Sequence, residues 1–313
     1  MTSSASAFRI AARLGVVTTL MLFGLIVVGS VVRTTGSGLA CPDWPLCQGQ
    51  LIPPADFHVR IEWLHRLIAL LASVSLFATA AWTLFRAETR ERLGGLIGLA
   101  LVLLFAQIVL GALTVWKLLS PAVVSSHLAV ALLLFGSLLV FTLAARAAAE
   151  GDDPAASPAR PAGLLPLLGG TTALVYVQAV LGGVVSTSHA GLACPDWPTC
   201  NGRWFPPLQG LEGLQMLHRY GAYLVTVLMI TVALRTRTAA DPGLRAGGAM
   251  ALGLTLAQVV FGVCNVLLET PVWLTAMHIA TAAALLALMV ALTFRAGLAS
   301  AAARPVALAA AAR

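Results

Sequence analysis

The chain predicts an all-α integral membrane protein, with eight transmembrane helices in two tandem four-helix bundles. Three observations predict it. Of its 313 residues, 59% are hydrophobic and only 10% charged, where a soluble domain carries about 25% charged residues. Eight apolar runs of about 20 residues can be placed, each long enough to cross hydrocarbon about 30 Å thick. The chain also repeats itself: Leu39-Ala40-Cys41-Pro42-Asp43-Trp44-Pro45 returns as Leu192-Ala193-Cys194-Pro195-Asp196-Trp197-Pro198. Cys41 to Cys194 and His65 to His218 are offset by 153, and Gln107 to Gln258 and His127 to His278 by 151. Matched landmarks at one long period mean one module made twice.

The predicted spans follow in order. The first half holds residues 13–32, 61–85, 94–116 and 122–145, and the second 163–185, 214–234, 246–268 and 272–294. Backbone in lipid must satisfy its own hydrogen bonds, which makes these runs helices. The modules are residues 1–146 and 163–313. Between them, 147–162 is charged and rich in proline, the composition of a linker. Arg9 and Arg13 precede the first run as in a signal peptide. Its apolar core is too long for one, however, and Arg33-Thr34-Thr35-Gly36 follows in place of a small-residue cleavage site. It reads as a retained helix.

A repeat of four helices keeps the same orientation in the membrane, so the expected pseudo-twofold axis lies along the membrane normal. Ends and loops on the N-terminal side carry thirteen of the nineteen Lys and Arg residues, among them Arg9, Arg13, Arg86, Arg90 and Arg92. The positive-inside rule then puts both termini in the cytoplasm and both cysteine loops outside. Anchoring against anionic lipid accounts for the net charge of +7 without a nucleic-acid partner.

Each outer loop contains a cysteine pair, Cys41/Cys47 and Cys194/Cys200, with prolines and a tryptophan between the sulfurs. In an oxidising compartment the simplest expectation is a structural disulfide in each. A redox-active pair exchanging with a thiol carrier is the open alternative. Cys264 reads as ordinary core.

The second span opens Ile61-Glu62-Trp63-Leu64-His65-Arg66, with Glu62 and His65 on one helical face. An acidic side chain near lipid marks a functional site by default. His65 is expected about 6 Å inside the helix, and His127 similarly deep in the fourth span. His218, followed by Arg219, and His278 repeat that pair, while Gln215 stands in place of Glu62, Ser186 of Arg33 and His189 of Gly36. Gln107/Gly111, Gln178/Gly182 and Gln258/Gly262 put an amide and a glycine on one face of three other spans. Close helix packing accounts for that pattern by itself.

A lone histidine on an apolar helix is ordinarily core. Four in register at one depth point to a cofactor held inside a bundle. Zinc or copper asks for further ligands, whereas heme asks for two axial imidazoles and an apolar slot. Arg66 and Arg219 flank the site as possible propionate contacts.

The run from Val28 through Arg33-Thr34-Thr35-Gly36-Ser37-Gly38-Leu39-Ala40-Cys41-Pro42-Asp43-Trp44-Pro45, with Glu62-Trp63-Leu64-His65-Arg66, resembles the bacterial heme A synthase family. The resemblance extends over nearly the whole chain and includes all four histidines. It implies oxidation of the C8 methyl of heme O to a formyl, through two hydroxylations and loss of water from a geminal diol. It further implies substrate heme between His65 and His127, with Glu62 as catalytic base, and heme b between His218 and His278 as electron relay. Heme O synthase, the cytochrome oxidase assembly machinery and an unidentified electron acceptor are the implied partners, in the bacterial inner membrane. A non-catalytic di-heme b-type carrier and a heme transporter or chaperone are the competing readings.

Overall fold

The apolar runs are the centres of longer helices, because the residues flanking them also favour helix. A computed structural model describes residues 3–151 and 161–311. Its helices are α1 (Ser3–Thr34), α2 (Phe57–Leu84), α3 (Ala87–Trp116), α4 (Pro121–Glu150), α5 (Leu164–Thr187), α6 (Gly210–Thr236), α7 (Pro242–Leu267) and α8 (Val272–Ala311). All eight are long and apolar enough to cross a bilayer, and the chain is a multi-pass membrane protein.

Caps set the ends that the hydropathy pattern misses. Asp56 starts α2 four residues before the expected 61, its carboxylate accepting the backbone N–H of His58 at 3.0 Å and of Val59 at 3.1 Å. Asp241 does the same for α7, accepting from Gly243 at 2.7 Å, with Pro242 in the first helical position. At the far end of α4, Ala147-Ala148-Ala149-Glu150 continue the helix until Gly151, which turns left-handed at φ 72° and stops it. The linker therefore begins about one turn later than the expected 147, and residues 152–160 of it lie outside the described residues.

In the first half α1 and α3 each pack against both α2 and α4, so the four form a ring with α2 and α4 at opposite corners. The second half repeats that neighbour order, with α6 and α8 at opposite corners between α5 and α7. The halves meet where α1 packs on α8 and α4 packs on α5 and α8.

Leu76, Ile97, Leu138 and Phe141 fill the first half, and Leu168, Met229, Leu244 and Met289 the second. The outward surfaces of the same helices are apolar as well: Leu20, Val102, Phe105 and Val227 are all exposed. An apolar exterior on every span belongs in lipid rather than water. With no hydrophobic drive between helices in lipid, small and hydroxylated residues supply the cohesion. Thr18 bonds Ser75 at 2.7 Å between α1 and α2, and Thr172 bonds Thr293 at 2.8 Å between α5 and α8. Across the halves Ser125 bonds Thr187 at 2.8 Å, and the Arg33 guanidinium donates to the Ser186 carbonyl at 3.0 Å.

Candidate functional site

The ring arrangement sets His65 on α2 diagonally across from His127 on α4. His218 on α6 and His278 on α8 stand in the same diagonal relation. Because α2 and α6 each begin four residues before their apolar runs, His65 and His218 lie two turns inside their helices, about 12 Å at 1.5 Å per residue, rather than the expected 6 Å. His127 and His278 lie about 9 Å inside theirs.

Each imidazole rests against a glycine of the preceding helix. A Cβ built at Gly29, Gly111, Gly182 or Gly262 would meet Cε1 of His65, His127, His218 or His278 at 3.1, 3.3, 2.9 and 3.1 Å respectively. The glycines noticed in sequence for helix packing are thus cradles for the histidine rings, and Gly29 is a fourth that lacked the glutamine signal.

The glutamines belong to the same device. The amide nitrogen of Gln178 lies 3.0 Å from Nδ1 of His218 and donates to the His218 backbone carbonyl at 2.7 Å. The amide nitrogens of Gln107 and Gln258 lie 3.1 and 3.3 Å from Nε2 of His127 and His278. Leu25 occupies the corresponding place on α1, four residues before Gly29, so His65 has no amide from that helix.

The donor chemistry and the surroundings fit heme. Nδ1 of His65, His127 and His278 is covered and without a partner, although the rings themselves are only half-buried. Among the described residues no three His, Cys, Asp or Glu side chains converge. Two imidazoles are enough for a heme iron and too few for a four-ligand zinc site.

The cysteine loops are tied to α2 and α6, the helices that carry His65 and His218. Cys41 is bonded to Cys47 and Cys194 to Cys200. Asp43 braces the first loop by accepting from the N–H groups of Gln48 at 2.6 Å and Gly49 at 2.8 Å, and Asp196 does the same for Asn201 and Gly202. The Gly49 N–H bond leads in holding the Asp43 carboxyl below its ordinary range. For Asp196 the Thr199 hydroxyl leads, with Gly202 N–H next, and its carboxyl is pulled down to about 2. Both aspartates are bracing residues that sequence reasoning passed over, although an Asp five and six residues before Gln-Gly or Asn-Gly signals such a turn. His189 adopts φ 56°, close to the 71° of Gly36 at the equivalent bend. That substitution changes the residue and keeps the turn.

Arg66 and Arg219 are engaged mainly by the disulfide loops. Arg66 donates through Nη1 to the carbonyls of Asp43 (2.6 Å) and Leu46, and through Nη2 to that of Cys41 at 2.8 Å. Arg219 donates to Asp196, Thr199 and Cys194 at 2.9, 2.7 and 2.7 Å. These bonds occupy most of each guanidinium, so the two arginines are clamps on the disulfide loops, and the propionate contact expected of them has few N–H groups left to serve it. The remaining Nε of Arg66 donates to the buried Glu62 carboxylate at 2.9 Å. In the second half the corresponding Gln215 instead donates to the Gly191 carbonyl at 3.2 Å.

Comparison with known proteins gives the family. The family model COX15-CtaA, described as cytochrome oxidase assembly protein, matches residues 12–60 and 55–290. A heme A synthase of Symbiobacterium thermophilum is 34% identical over 240 residues, covering 75% of this chain and 78% of its own. Heme A synthases of Methylorubrum populi and Shewanella oneidensis are 30% and 28% identical, over 82% and 88% of this chain and 79% and 93% of their own.

Proposed function

The chain belongs to the COX15-CtaA family of cytochrome oxidase assembly proteins, and from that premise we propose that it is a heme A synthase. In this reading it is an oxidoreductase that converts the C8 methyl of heme O to a formyl group. Heme O binds in the first half between His65 and His127. Heme b resides in the second between His218 and His278. One observation carries the division: the halves share glycine-backed histidine pairs, but only the first has a buried carboxylate beside its pair, Glu62 against Gln215.

Heme b supplies one-electron transfer at its iron. The rest of the work falls to this chain's side chains. Gly182 and Gln178 fix the plane of the His218 ring, the kind of outer support that orients ligating imidazoles. His127 and His278 would hold iron through a ring nitrogen, with the amides of Gln107 and Gln258 beside them to hydrogen-bond the rings. Glu62 accepts a proton at the reacting methyl, a role that an amide at 215 lacks the acid–base chemistry to fill. Arg66 holds that carboxylate and is itself held by the carbonyls of the disulfide loop, so the Cys41–Cys47 bond contributes to activity by positioning Glu62 through Arg66.

The arginine distribution supports both termini in the cytoplasm of a bacterial cell and the loops on the outer face. Heme O synthase, oxidase assembly factors and an electron acceptor are the partners that this reaction calls for. The test is pigment extraction from cells that co-express a heme O supplier. Glu62→Gln is expected to keep the heme b spectrum of the purified protein and to abolish heme A, whereas His218→Ala or His278→Ala removes the heme b spectrum. Normal heme A from Glu62→Gln would refute the assignment of the base.

A further inference from the structure

A base buried about one and a half turns inside α2 needs a way to exchange its proton with water. Glu62 is only 6% exposed, and the disulfide loop lies over it through Arg66. The 3-10 turn Ser37–Leu39 packs against α2 and brings a fully buried hydroxyl, Ser37, to its side. Ser37 Oγ lies 2.9 Å from Nδ1 of His58 and 2.7 Å from Oγ1 of Thr35. His58 is exposed, with its ring edge-on to Phe57. It precedes Glu62 by four residues and so shares its face of α2, one turn nearer the water.

The second half supplies two checks. Gln215, at the position of Glu62, reaches the Gly191 carbonyl of the equivalent turn at 3.2 Å. A side chain at this position is thus long enough to reach the turn that, in the first half, carries Ser37. The second check concerns the residues themselves, because Ser37, His58 and Glu62 are replaced there by Ala190, Leu211 and Gln215. The turn keeps its form without them: Ala40 N–H donates to the Ser37 carbonyl at 3.0 Å, and Ala193 N–H donates to that of Ala190 at 3.1 Å. A bond needed only to staple the turn would be needed in both halves. The hydroxyl, the imidazole and the carboxylate instead occur together, in the one half assigned the chemistry.

We propose that Ser37 and His58 form a proton relay between the Glu62 carboxylate and water on the face of the disulfide loops. The inference rests on the reading of Glu62 as base. A proton leaving Glu62 passes to Ser37 Oγ as the Ser37 hydroxyl gives its own proton to Nδ1 of His58. His58 then releases one from Nε2 to water. The same path carries protons inward when run in reverse. It moves protons alone and leaves the electron count of the oxidation unchanged. The ionisable groups around it are Asp56 and Arg60 on its own helix end, the Arg66–Glu62 pair below, Asp43 in the loop, Arg33 on α1 and Lys117 on the connection packed against Gly38.

The variants that test this are the second half's own residues, Ser37→Ala and His58→Leu, which the equivalent turn already accommodates. The full-length protein in membranes is supplied with heme O, and the heme A to heme O ratio and initial rate are measured at several buffer concentrations and pH values. Each single variant is expected to lose about tenfold or more in rate, with full heme b absorbance. The double variant should lose no more than the worse single one, since both act on one path. The residual rate should rise with buffer concentration, because small acids and bases replace the missing relay, while the parent rate does not respond and the pH profile of the variants shifts. An unchanged rate in His58→Leu overturns the relay, as does a lowered rate with no response to buffer or pH. Glu62→Gln run alongside separates the two readings. If that variant stays active the base assignment fails, and if it is inactive while His58→Leu matches the parent, the relay alone fails.

Discussion

Replacing the glycine behind each histidine by alanine should weaken heme binding without weakening the fold. At Gly182 the new methyl would stand 2.9 Å from Cε1 of His218, whereas carbon atoms rest at about 3.5–4.0 Å. The ring must give way by about 0.6 Å or more. In the free protein that is cheap, because the atom met is the far end of a side chain that can swing. With heme bound the ring is held by the iron, so the clash is felt in the complex alone. Overpacking of this size costs about 1–3 kcal/mol, which corresponds to about 5- to 150-fold faster loss of heme b. Meanwhile alanine in place of a helical glycine favours the folded chain by up to about 1 kcal/mol.

The assay is transfer of heme b from purified protein to an excess of apomyoglobin, followed by absorbance, beside thermal unfolding of the apoprotein in detergent. Gly182→Ala should release heme b fastest and Gly262→Ala, at 3.1 Å, more slowly. Gly29→Ala and Gly111→Ala, at 3.1 and 3.3 Å, should leave heme b in place and lower heme O uptake. Unaltered heme retention across all four, or a loss of heme that tracks loss of thermal stability, would refute the cradle.

Other outcomes follow from the same geometry. Gln178→Leu removes the bond to Nδ1 of His218 and should weaken heme b retention by about 10- to 100-fold, read by the same transfer assay. Arg66→Lys cannot reproduce a fork that meets Glu62 and three loop carbonyls at once. It should destabilise the loop by about 2–4 kcal/mol, at about 1 kcal/mol for each lost bond, and make Cys41 and Cys47 reducible at lower thiol concentration. For Asp196, the folded carboxyl at about 2 lies below its ordinary 3.8, so its bracing of the second loop is complete above about pH 4 and disappears as pH falls through about 2. Protection of the Asn201 and Gly202 amides in hydrogen exchange, corrected for intrinsic rates, should stay level from pH 7 to 4 and fall below that. Asp196→Asn should already be at the low level at pH 7.

Much of this protein is local information. Hydropathy and helix length are properties of contiguous residues, so eight spans can be read without a partner in view. The paired cysteines and the four histidines are legible because duplication writes each of them twice in register. The exchange of Glu62 for Gln215 is legible for the same reason, as a difference between copies. The sequence also places Gln107, Gln178 and Gln258 one turn before a glycine, but gives no hint that the amide and the glycine address a histidine on the next helix. That depends on how each helix is rotated about its axis, which many distant side chains settle together.

Arg66 is the clearest case of what chain order conceals. Beside His65 it looks like a partner for a porphyrin carboxylate, while its contacts run to backbone carbonyls 20 to 25 residues earlier. Carbonyl groups are the same in every residue, so no pattern of residue types announces that they will converge on one guanidinium. The extra turn that opens α2 was set by the Asp56 cap rather than by hydropathy, and it moved His65 deeper than the apolar boundary implies. Composition and duplication thus determined by themselves the number of spans, the paired sites and which copy carries the acid. Only the packed structure decided what holds each reactive side chain in place, because those bonds go to backbone and to neighbouring helices that linear order does not reveal.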